Sequence, residues 1–182
     1  MNSNERTETL RRYVYTNGDD QVYGLLDGAS IPQLLPLLQQ HGVANVCLFR
    51  GELDPEVAMT APYLVHLSAK SAFTDLVLQQ GWGHHWGILA ISQTDMRTMR
   101  LHFRKFTMVL DPAGKPLYFR YYDPRVLRVY LPTCNGEELR TVFGPVRAYL
   151  MEGETPDALL RFTSAGQALG CETLALPQLR TA

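Results

Sequence analysis

The chain has 182 residues, 46% of them hydrophobic, and its 17 Lys plus Arg nearly balance 18 Asp plus Glu. That length supports one core and one domain, and the balanced charge offers no summed field to nucleic acid, an anionic membrane or a polyanionic substrate. No apolar run approaches the ~20 residues that cross a bilayer, and no signal-peptide core opens the chain, so it reads as a cytoplasmic protein with Cys47, Cys134 and Cys171 as reduced thiols.

Residues 1–20 read as a polar, flexible N-terminus. A short β run follows at 22–27 (VYGLLD), closed by Gly28, and IPQLLPLLQQ at 31–40 has helical leucine spacing. Ser30 suits its N-cap and Pro32 its first turn, while Pro36 lacks an amide proton and must kink or shorten the helix. NVCLFR at 45–50 and PYLVHL at 62–67 read as strands separated by an acidic, Pro-containing loop. A helix is expected over 72–80 and a buried strand at GILAIS, 87–92. Asp95 opens an amphipathic helix in which Met96, Met99, Phe103 and Phe106 share one face, and Arg97, Arg100, Arg104 and Lys105 occupy the others.

MVLD at 108–111 and KPLYFRYY at 115–122 flank Pro112, Ala113 and Gly114, the signal of a β-hairpin. Its second strand runs straight into Asp123-Pro124, where a new helix starts. One or two helical turns at 137–142 and a strand at 145–151 complete the pattern, and the chain turns small and polar beyond Gly153. The fold class is α/β in the α+β sense: a mixed, partly antiparallel sheet with helices packed on it.

The junction YFRYYDPRVL at 118–127 is the most informative segment. A carboxylate at N-cap accepts amide hydrogen bonds, proline at N1 fixes φ, and the charge meets the positive end of the helix dipole. Asp123 and Pro124 are therefore structural, as is Asp27, which supports the turn before Ala29 and Ser30. Arg120 and Arg125 are free either to pair locally or to face a partner through their five-donor forks. On a continued strand, Tyr121 would oppose Arg120 and Tyr122.

The succession YGLLDGA (23–29), LFRGE (48–52), APYLVHL (61–67), WGI (86–88), LHFRKF (101–106), YFRYYDPRVL and FGPV (143–146) resembles the effector-adaptor chaperones of bacterial type VI secretion, a family first catalogued as of unknown function. The resemblance covers roughly residues 22–150. It implies a cytoplasmic protein that binds a cognate effector toxin and brings it to the VgrG spike, without catalysis. It also implies an adaptor domain over 21–151 and a C-terminal extension over 152–182, a reduced form of the second lobe that longer members carry. Partner contacts are expected at Arg120, Tyr121, Arg125, Phe103 and Trp86, since aromatic and arginine side chains dominate hot spots.

Other chemistry has little support. His84 and His85 in GWGHHWG stand without the Cys or carboxylate cluster of a zinc site, and the loop reads as a turn in which Trp82 and Trp86 pack. No metal or cofactor is expected, and neither a GxSxG elbow nor a phosphate-binding glycine loop occurs. Two alternatives stay open: a small hydrolase or transferase using Asp27 or Asp123 with a histidine, which needs a deep polar pocket, and an immunity protein that binds and neutralises a toxin.

Overall fold

A computed structural model describes residues 3–178. Helices α1 (Ser3–Val14), α2 (Leu34–His41), α3 (Pro55–Thr60), α4 (Ala72–Leu76), α5 (Met96–Phe103), α6 (Pro124–Tyr130) and α7 (Gly136–Phe143) alternate with nine strands. Strands β1 (Gln21–Asp27), β2 (Asn45–Cys47), β3 (Pro62–His66), β4 (Gly87–Ser92), β7 (Val146–Glu152), β8 (Ala158–Ala165) and β9 (Ala168–Ala175) form one sheet in the order β2-β3-β1-β4-β7-β8-β9. Strands β5 (Met108–Leu110) and β6 (Pro116–Tyr118) pair only with each other. The expected α+β class forms, and every pairing in the large sheet is antiparallel.

Both faces of the sheet are covered, which is why the central strands carry continuous apolar runs instead of alternation. Val22, Leu26, Val65, Leu89 and Leu150 face Leu10 and Val14 of α1, Leu34 and Leu38 of α2 and Phe73 of α4. Tyr23, Leu25, Leu64, Ile88 and Tyr149 face Met99 and Phe103 of α5, Leu127 of α6 and Leu139 and Phe143 of α7. Gly87 lies where β4 meets β1, and a Cβ there would stand 2.0 Å from the Leu25 carbonyl oxygen. Among the described residues no helix is long and apolar enough to cross a membrane.

Several expectations change. Of the flexible N-terminus expected over 1–20, Ser3–Val14 forms helix α1, with Leu10 and Val14 buried and the Arg11 side chain bonded to the Ala69 carbonyl and Asp75. Two apolar residues one helical turn apart share one helix face, and arginine bonds from Arg6 to the Pro156 carbonyl and from Arg11 help dock this otherwise polar segment. The C-terminal extension is no separate lobe within its described residues: β8 and β9 continue the main sheet, joined by a two-residue turn with Gly166 at φ +68. Residues 179–182 lie outside the described residues.

Helix α2 starts three residues later than Ser30 proposed, with Gln33 at its N-cap position, because the Ser30 hydroxyl bonds Asp27 at 3.0 Å instead. The acidic loop contains α3, capped by Asp54, whose carboxylate accepts from the Glu56 amide at 3.1 Å. Strand β6 stops at Tyr118, and the chain turns where the Asp123 amide bonds the Arg120 carbonyl at 3.0 Å. The expected strand alternation therefore fails, and both Tyr121 and Tyr122 are buried.

Candidate functional site

At the end of the sheet where β1 finishes, Asp27 is fully buried. Its carboxylate accepts from the Ala29 amide at 3.1 Å and the Ser30 hydroxyl at 3.0 Å, and it pairs with the Arg120 guanidinium. Arg120 also lies 4.0 Å from Asp123, the N-cap of α6. Asp123 accepts from Arg125 three times: from its amide at 2.9 Å, its Nε at 3.0 Å and its Nη2 at 2.7 Å. Burial alone would push the Asp123 carboxyl up, but the Arg125 hydrogen bonds and the charge of Arg125 and Arg120 hold it below the usual carboxylate range. Bonding to Asp27 raises the Arg120 pKa in turn.

The RYYDPR segment is thus a clamp. It fastens the start of α6 to the end of β1, and its two aromatic residues supply core. Tyr121 stacks on Phe103 with ring centroids 6.0 Å apart and donates its hydroxyl proton to the Phe103 carbonyl at 2.9 Å. Tyr122 lies buried beside Asp27, and desolvation with that carboxylate pushes its pKa up to about 12. Arg128 donates to the Gly153 carbonyl at 2.8 Å and ties α6 to the end of β7.

Of the residues expected to touch a partner, Phe103 and Tyr121 are buried in the core and present no surface. Trp86 is half-buried against the α1/α2 side of the sheet, and its ring fills the space beside Gly81, where a Cβ would meet it at 2.9 Å. Arg120 and Arg125 keep part of their surface in solvent while holding Asp27 and Asp123. In the adjoining loop His85 adopts φ +58 and bonds the buried Glu152 through Nδ1. Its partner is thus the sheet, and among the described residues no three His, Cys, Asp or Glu side chains gather as a metal site requires.

The surface that stands out lies immediately before the clamp. Asp111 builds the hairpin turn, accepting from the Ala113 amide at 2.9 Å and the Lys115 amide at 2.8 Å, with Gly114 at φ +79. Met108, Val109, Leu110, Leu117 and Tyr118 in its two strands are each 40–69% exposed. Isolated two-stranded hairpins are marginal in water, and this one is held by its root. The Phe119 amide bonds the Thr107 carbonyl at 3.2 Å, and Phe119 packs edge-on against Tyr130 of α6 at 4.9 Å.

Cross-strand partners Met108 and Tyr118 share one face, which looks onto Phe49 and Leu53 across a groove of about 350 Å³. Phe49 and Tyr118 approach to 5.1 Å between ring centroids. Arg50, Arg104 and Lys105 border the groove. Arg104 is fixed by bonds from Nη2 to the Cys47 and Phe49 carbonyls at 2.9 and 2.8 Å, so it shapes the wall of the groove. Burial, then repulsion from Arg100 and Arg50, push its pKa below the ordinary arginine value.

Sequence reasoning missed this surface, although MVL and PLY carried a signal. Both runs are apolar without alternation, which in a strand means two buried faces. A hairpin of two three-residue strands outside the sheet buries neither.

The fold is an antiparallel α+β protein whose charged motif is turned inward as a clamp and whose apolar hairpin is turned outward. The chain belongs to the family described as Domain of unknown function (DUF4123), whose model matches residues 22–141, and that family is associated with type VI secretion. No curated protein and no solved structure matches the chain.

Proposed function

We propose that this chain is a type VI secretion adaptor that binds a cognate toxic effector in the cytoplasm and brings it to the VgrG spike, by protein contact and without chemical turnover. The observation that carries this reading is the exposed apolar hairpin, because monomeric proteins rarely leave contiguous large apolar side chains in solvent unless a partner covers them. The clamp supports it: Asp27 and Asp123, the carboxylates a hydrolytic mechanism would recruit, are buried and engaged by arginines and backbone amides. An adaptor needs two surfaces held at fixed geometry, since its output is the effective concentration of one partner beside another.

The test is a pull-down of the folded, monodisperse chain with the toxin and spike encoded beside its gene. Retention of both is expected, and Leu110→Asp, at a side chain 69% exposed, should abolish retention of one of them while leaving the thermal midpoint unchanged. Retention of neither by the unaltered chain overturns the adaptor reading. Neutralisation of the toxin in place of its delivery would make the chain an immunity protein.

A further inference from the structure

We infer that the groove between the hairpin and the 48–53 loop takes an acidic segment of the partner protein that carries an aromatic or aliphatic anchor. This deepens the adaptor reading and rests on it.

Two independent features define the occupant. The floor is apolar, with Phe49, Leu53, Met108 and Tyr118 around it, and an open groove of about 350 Å³ has room for a large side chain. The border is cationic and has no internal counterion. Among the described residues its members Arg50, Arg104 and Lys105 form no ion pair with any carboxylate, although the chain as a whole is charge-balanced. Glu52 and Asp54, closest along the loop, do not neutralise them, and the Asp54 carboxylate is spent capping α3. The Arg104 Nε atom is also buried without an acceptor, and Arg100 adds its positive charge beside it. Cations gathered against their mutual repulsion, beside an apolar floor, complement a ligand with carboxylates flanking an apolar side chain. A basic or neutral segment would leave the repulsion in place.

The probe is a short fluorescein-labelled peptide in which Asp and Glu flank a Leu-Trp centre, compared with a counterpart carrying Lys at every acidic position. The acidic peptide should bind, added salt should weaken it, and Arg50→Glu with Lys105→Glu should lower its affinity about tenfold, as the loss and reversal of two exposed charge contacts requires. Both substituted residues are exposed and hold no structural bond, so the fold should keep its thermal midpoint. Arg104 is left untouched because it anchors two backbone carbonyls. Equal binding of the lysine peptide, unchanged binding by the charge-reversed protein, or no binding of the acidic peptide overturns the inference. A chain that retains its toxin in the pull-down but fails this titration keeps the adaptor reading and loses only the acidic occupant.

Discussion

Asp27 and Arg120 are 93 residues apart in sequence and joined by one ion pair. The carboxylate is fully buried, whereas 43% of the arginine side chain is in solvent, so the pair is asymmetric. Removing the arginine strands a buried anion that keeps only the Ala29 amide and the Ser30 hydroxyl. Breaking fully buried pairs costs roughly 3–5 kcal/mol, and the exposure of Arg120 discounts that to about 2 kcal/mol for Arg120→Ala. Urea denaturation should report this loss, and adding Asp27→Asn should recover part of it because no charge then remains buried. If the double variant is as unstable as the sum of the two single ones, the pair is not what holds the clamp. The same asymmetry explains why residue type misleads at the junction: arginine and tyrosine are the usual hot-spot residues, yet here Tyr121 is core and Arg120 is half structural.

Between elements, His102 links α5 to α7. Its Nε2–H donates to the Val142 carbonyl at 2.9 Å, and Phe106 meets its ring edge-on at 5.0 Å. Burial, aided by nearby Lys105 and opposed by the Val142 bond, lowers its pKa from the ordinary 6.5 to about 4. The folded state therefore holds the neutral imidazole, and the unfolded chain binds the extra proton. This contribution is complete above about pH 6.5 and is lost as pH falls through about 4, to a limit of about 3 kcal/mol. Unfolding free energy measured between these pH values should slope upward with pH, and His102→Gln should flatten that slope.

The elements themselves were legible where a local device fixed them. Asp95 and Asp123 cap the helices expected of them, and the 108–118 hairpin forms around its Pro-Ala-Gly turn. Asp54-Pro55 carries the same N-cap and N1 pattern as Asp123-Pro124 and begins α3, but its acidic surroundings disguised it as loop. Helix α1 and strands β8 and β9 were less legible because their stability comes from the sheet they join. Leu10 and Val14 need a distant core, and ALGCETLA acquires strand geometry from its pairing with β8.

Across the whole molecule, helices cover both faces of the central strands and leave the two outermost strands as open edges. Strand β2, at one side, has three residues, too short to recruit much. Strand β9, at the other, has eight, and the Leu176 amide turned toward Asp157 sets which backbone groups are committed inward. By strand alternation the amides and carbonyls of Leu169, Cys171 and Thr173 point outward, and among the described residues no strand pairs with them. In colloidal terms this side is a growth front: a hydrogen-bonding row onto which an extended chain can crystallise strand by strand, with Glu172 as its one charged gatekeeper. Glu172→Val should therefore turn a stable solution into one whose light scattering climbs with concentration and time, while the unfolding midpoint of the dilute protein stays where it was.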